Sequence, residues 1–111
     1  VNEHAIWQLI KVPCTVRHQD PGPVDEYGDH PIAMVTETSE LCHPQQSARG
    51  ETDEIEHERW HVYLRPPSVV DANDVIVVDG MTLEVDGAPW PVIDPLTGWR
   101  THIETTAIRR I

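Results

Sequence analysis

Basic residues are scarce in this chain: eight Lys and Arg stand against nineteen Asp and Glu, a formal net charge of −11 with histidine neutral. That balance excludes a surface built to grip nucleic-acid phosphates or anionic lipid, because either partner is repelled. Cysteine is scarce too. Cys14 and Cys42 allow one bridge at most and form no C-x-x-C pair, so buried thiols acting as small hydrophobes are expected rather than a metal site or a disulfide framework. No leading run resembles a secretory signal and no stretch is apolar enough for a membrane span, which leads to the expectation of a reduced, soluble, intracellular chain. Phenylalanine is absent, and the large rings are mainly Trp7, Trp60, Trp90 and Trp99. Trp60 is expected in the core. Trp90, lodged between prolines, is expected at the surface as a candidate interface residue.

What the chain does have is proline, ten residues in 111. Long helices cannot carry that load, since each interior proline removes a hydrogen bond and clashes with the preceding turn. The length suits one domain, residues 1–111, built from strands and turns.

Residues 57 to 61 read HERWH, a match to the H-E-x-x-H zinc-hydrolase pattern. The metal chemistry needs a helix, which sets the two histidines one turn apart on one face. On a strand, residues i and i+4 share a face but lie about 13 Å apart, at roughly 3.3 Å per residue. One ion cannot then bridge them. WHVYL has strong β propensity and runs at once into Arg65-Pro66-Pro67, so a strand from Glu54 to Leu64 is expected, with His57, Arg59, His61 and Tyr63 on one face and Glu58, Trp60, Val62 and Leu64 on the other. A zinc site would also need a third ligand from His18, His43 or His102.

Other elements follow from breakers and alternation. Residues 8–18 predict an edge or bulged first strand, because Pro13 would cost a central strand a ladder hydrogen bond. Residues 19–31, with three prolines and two glycines, read as a loop. Ile32 to Leu41 alternates as a second strand. From Cys42 to Asp53 no large apolar residue offers an anchor, so an exposed projecting loop is expected. DVIVVDGMTLEVDG is a hairpin about Asp79-Gly80, Asp86-Gly87 a second turn, PWPVI a short strand, Asp94 to Gly98 a tight connection, and the segment from Trp99 a long last strand. The fold class is all-β: a small SH3-like or OB-like barrel or sandwich with a long projecting loop.

The second half carries a resemblance. Arg65 to Pro67 after an aromatic strand, Asp74 before a β run, the Asp79-Gly80 hairpin, Val85, Gly87 and Pro89, the DPLTG loop, and a last strand ending in Arg109 and Arg110 together resemble the head-to-tail stopper, or head-closure, proteins of long-tailed phages, especially those of actinobacteria. The resemblance covers about residues 54–111. It implies a virion protein of the phage neck, assembled in the host cytoplasm. There it would form a homo-oligomeric ring of about six or twelve copies closed by rotation. Its partners would be an adaptor or portal on the head side and a tail terminator or tail tube on the other. DNA would pass through without specific binding. No catalytic residue and no cofactor are implied.

On that reading Gln45, Gln46, Arg49, Gly50, Glu51 and Asp53 are candidates for a loop that reaches the channel, with Gly50 as hinge and the carboxylates repelling phosphate. Trp90, Arg109 and Arg110 are candidates for an interface. The alternatives are another neck or tail connector, such as an adaptor or tail terminator, a small-ligand or peptide-binding module, and a zinc hydrolase using HERWH.

Overall fold

The computed structural model describes residues 6–21, 26–28, 32–49 and 57–110. Seven strands follow in chain order: β1 (Val12–Pro21), β2 (Ile32–Arg49), β3 (His57–Leu64), β4 (Val75–Val78), β5 (Met81–Val85), β6 (Trp90–Ile93) and β7 (Arg100–Arg110). Period-two burial gives each a core face. On β7 Thr101, Ile103, Thr105 and Ala107 are buried, while the residues between them reach the surface. On β3 the buried or core-packed residues are Glu58, Trp60, Val62 and Leu64, the face expected from the sequence.

All pairings are antiparallel, and the hydrogen-bond ladder closes on itself. β1 pairs with β2, β2 with β3, β3 with β7, β7 with β5, β5 with β4 and β4 with β1. β6 is added beside β5 on β7, along Arg100 to Glu104. Closure leaves fewer of the exposed edges that make an open sheet prone to aggregate. Inside lie Cys14, Val16, Cys42, Val62, Leu64, Ile76, Val78, Leu83, Val85, Ile103 and Ala107, one contiguous cluster fed by six strands. Each large aliphatic there contributes about 1.5–3 kcal/mol by leaving water.

The Asp79-Gly80 turn forms as expected. Asp79 has φ 49° and Gly80 φ 75°, and Val78 faces Met81 across a two-residue loop, the left-handed pair that a type I′ turn requires. A Cβ at Gly80 would touch nothing, so the cost of Gly80→Ala is purely conformational, about 1–2 kcal/mol. Thermal unfolding should show it as a drop of several degrees in Tm.

Three expectations need correction. The first strand is neither edge nor bulged at Pro13: β1 lies between β2 and β4. Proline is tolerated because it is the second residue of the strand, ahead of the first β4 partner pair, Cys14↔Val78. Residues 6–10 form a helical turn, with Leu9 N–H donating to Ile6 O and Ile10 N–H to Trp7 O, so residues 8–10 are not part of the strand.

The projecting loop is the second correction. Residues 42 to 49, including Gln45, Gln46 and Arg49, continue β2 and pair with β3. β1 leaves β2 at Val12↔Cys42, so beyond that point β2 is an edge strand, which explains both its polar composition and Pro44. A bulge between Gln46 and Ala48 leaves Ser47 as the extra residue, its hydroxyl donating to Arg59 O at 3.1 Å. Gly50, Glu51 and Asp53 lie outside the described residues. The third correction concerns residues 19–31: Gln19 to Pro21 belong to β1, facing Ile32 to Val35. Past Arg17↔Val75 these two strands run on as an arm without β4, and the radius of gyration is 15.9 Å where about 13 Å suits a compact chain of this length.

Candidate functional site

HERWH lies on β3, so His57 and His61 are four strand residues apart, about 13 Å at strand rise. Glu58 is on the opposite face. Its carboxylate accepts from Trp60 Nε1 at 3.2 Å and sits 3.5 Å from Arg109 Nη1. Two of the other histidines proposed as ligands are engaged elsewhere: His18 Nδ1 meets Asp74 Oδ1, and His102 meets Thr101 Oγ1 at 2.9 Å and Glu104 Oε1 at 3.0 Å. Among the described residues no three His, Cys, Asp or Glu side chains converge to hold a metal ion. HERWH is a strand sequence, not the helix that the zinc pattern needs.

Cys14 and Cys42 are free and buried, as expected. Cys42 donates its S–H towards Cys14, which with burial pushes the Cys42 thiol far above its ordinary range and draws Cys14 down. Their place is in the core cluster.

The outer face of the closed sheet holds a different grouping. Register sets His43 on β2 opposite Tyr63 on β3, Tyr63 opposite Glu104 on β7, and Glu104 opposite Trp90 on β6. His102 joins the row edge-on to Tyr63, with ring centroids 5.6 Å apart, while His43 lies 6.1 Å from Tyr63 on its other side. The helical turn at residues 6–10 folds against one end of this row. Trp7 Nε1 donates to Thr101 O at 2.8 Å, Arg65 Nη2 donates to Ile10 O at 2.9 Å and also to Trp7 O, and the Arg65 guanidinium lies 5.7 Å from the centroid of the Trp7 ring. Between turn and sheet is an apolar groove of about 300 Å³, lined by Ile6, Leu9, Ile10, His43, Gln45, Tyr63 and His102.

β6 and the β6–β7 connection present apolar side chains to solvent. Trp90 is 42% exposed, Ile93 52%, Leu96 90% and Trp99 60%. The connection itself is well tied: Gly98 N–H donates to Asp94 O at 2.8 Å, Asp94 N–H to Trp99 O at 2.9 Å, and Leu96 N–H to Asp94 Oδ1 at 2.9 Å. A held turn with Leu96 and Trp99 outward is suited to docking, because little side-chain and loop freedom remains to be lost on contact. Concentrated exposed apolar surface of this kind marks interaction sites.

Of the interface candidates, Trp90 is thus exposed next to this surface. Arg109 and Arg110 lie apart from it, at the other end of β7, and both have partners within the chain, Glu58 for Arg109 and Glu84 Oε2 at 2.8 Å for Arg110. Gln45 lines the groove, Gln46 faces Trp60 across the ladder, and Arg49 faces Glu58. Leu9, Tyr63, Leu96, Trp99 and His102 were not singled out from sequence as a surface. The available signal was Leu96 and Trp99 in a tight turn, where polar residues are the rule.

Asp74, part of the stopper-like pattern, has a structural task. Its carboxylate is buried, 2% exposed; Oδ2 accepts Asp71 N–H at 2.8 Å and Oδ1 meets His18. It thereby fixes the turn that leads into β4. Asp74→Asn keeps the shape but loses the charge-assisted bond, and urea unfolding should show a loss of about 1 kcal/mol.

No protein-family model matches the chain, and no curated protein matches it in sequence. Solved structures share its fold, two of them as follows. Protein SF1141 from Shigella flexneri 2a superposes with a TM-score of 0.57 at 16% identity, over 91% of this chain and 92% of that one. The phage-like element PBSX protein xkdH from Bacillus subtilis superposes with a TM-score of 0.54 at 12% identity, over 88% of this chain and 92% of its own. At such identities the likeness is one of fold.

Proposed function

We propose that this chain is a structural protein of a tailed-phage particle and works in the neck as a head-to-tail stopper, one copy of a ring between portal or adaptor and tail. The observation that carries the reading is the fold shared with a protein of a phage-like element over most of both chains. The stopper-like order of motifs from Arg65 to Arg110 supports it independently. The acidic balance fits as well, since a channel for DNA works best when its wall repels phosphate. The reading needs no catalysis, cofactor or metal.

Within it, the β2–β3 hairpin that carries Gln45, Gln46 and Arg49 leads to Gly50, Glu51 and Asp53 and would reach the channel, where the tip helps to close the DNA exit. A shortened tip that leaves packaged genomes in place would remove that role. Trp90, with its exposed neighbours, would face an adjoining protein. Arg109 and Arg110 would serve an interface only where a partner carboxylate outcompetes Glu58 and Glu84. Mass spectrometry of gradient-purified particles tests membership directly: the chain is expected in intact virions at a low copy number relative to the shell protein, and its consistent absence would reject the proposal.

A further inference from the structure

Two free thiols meet on the core face of β1 and β2. Register sets Cys14 opposite Glu40 and Cys42 opposite Val12, so the cysteines are diagonal neighbours in one cluster. Cys42 directs its S–H to the Cys14 sulfur. Diagonal neighbours lie about 7–8 Å apart, whereas a disulfide usually spans about 4.4–6.8 Å between Cα atoms, so an approach of about an ångström by one strand joins the sulfurs.

The place of the pair in the ladder supplies that movement. β1 begins at Val12, and Val12↔Cys42 is the last pair at this end of the β1–β2 ladder. Cys14↔Val78 is likewise the end pair between β1 and β4, and Pro13 has no N–H to donate to either neighbour. Ladder ends open at far lower free energy than the middle of a packed sheet, and freeing Val12 to Cys14 uncovers both sulfurs while the other strands stay paired. Cys14 is the nearer to solvent, 6% exposed where Cys42 has no exposure. The S–H bond from Cys42 favours the Cys14 thiolate against the opposition of burial and of Glu40, and the thiolate is the form that attacks a disulfide.

We propose that Cys14 and Cys42 are a redox-active pair that closes into an internal disulfide when a small-molecule disulfide reaches the start of β1, Cys14 attacking first and Cys42 resolving. The Cys14 thiolate displaces one thiolate from the oxidant and leaves a mixed disulfide on Cys14. The Cys42 sulfur gives up its proton, attacks the Cys14 sulfur and expels the second thiolate. Two electrons pass from the cysteines to the oxidant, which departs as two thiols with the two protons. The new S–S bond staples β1 to β2 at the end of their ladder, and an excess of thiol reverses it.

The inference stands apart from the neck reading. Its test is intact-mass spectrometry of the folded full chain, without denaturant, after exposure to hydroxyethyl disulfide, a small uncharged oxidant that the net charge of −11 does not repel. The expected product is the monomer less two hydrogen atoms, with no adduct retained and with the original mass restored by dithiothreitol. Cys42→Ser should keep one mercaptoethanol adduct, mapped to Cys14, and Cys14→Ser should stay unmodified over the time in which the native chain closes. Glu58→Ala, at the opposite end of β3 from the Cys42 partner Leu64, raises the unfolded population by about tenfold or more, yet should leave the closing rate within about twofold, because the reaction needs only the end of β1 to open. A native chain that stays reduced, that keeps a mixed disulfide, or that links to a second chain would overturn the proposal. So would a closing rate that rises in step with the unfolded population in Glu58→Ala. None of those results bears on virion membership, which is read in particles.

Discussion

Leu64→Ala should destabilise the protein by about 2–5 kcal/mol, the range for removing a fully buried aliphatic and leaving a cavity. Leu64 has no exposed surface. Its strand position explains why relaxation is restricted: it faces Cys42 on β2 and Ile103 on β7, so both neighbouring strands are fixed in register and cannot move independently into the space. A closed sheet spreads the strain around the whole ladder. Small domains hold only about 5–15 kcal/mol in total, so a large fraction of the margin is lost. Urea denaturation should show a lower midpoint with an unchanged slope; a loss below about 1 kcal/mol would mean that the ladder opens more easily than the pairing implies.

Glu58→Ala comes next in size, about 1.5–3 kcal/mol, the cost of losing charged hydrogen bonds from a buried site. Glu58 is 8% exposed on the core face of β3, accepts from Trp60 Nε1 and faces the Arg109 guanidinium. Removing it takes away the acceptor for the indole and the partner of Arg109. The contrast with the next residue makes the prediction specific. Arg110 pairs with Glu84 in the open, at 71% and 48% side-chain exposure, and exposed pairs contribute about 0–1 kcal/mol. Arg109→Glu should therefore lower Tm in the isolated chain, and Arg110→Glu should not. If both act equally on stability, the structural role given to the Glu58–Arg109 pair fails. An assembly defect in Arg110→Glu with normal stability would instead point to a partner for that residue.

The contrast also shows what could be read without coordinates. Asp79-Gly80 was legible because a type I′ turn is a local demand on two adjacent φ angles. The two faces of β3 were legible because strand alternation is a period-two property. Cys42 to Arg49 was not, because an edge strand with one partner has little to bury, and its polar residues look like loop. Pro13 misled for a related reason: whether a proline is tolerated depends on which residues of a distant strand pair beside it. The closing pair β3–β7 joins residues 57–64 to 103–110, a non-local choice that no window of sequence contains. The exposed face was hidden likewise, since Leu96 and Trp99 are in a turn while Ile6 and Leu9 are at the other end of the chain. Only the fold brings the residue 6–10 turn to the start of β7, through the Trp7 Nε1 bond to Thr101 O.

The measurement that bears most directly on the central claim is electron microscopy of lysates from phage in which the encoding gene has been inactivated. A neck stopper predicts complete, separate tails beside heads that have lost their DNA, with normal particles restored when the gene is supplied in trans. Intact, tailed, infectious particles from the inactivated phage would contradict the account.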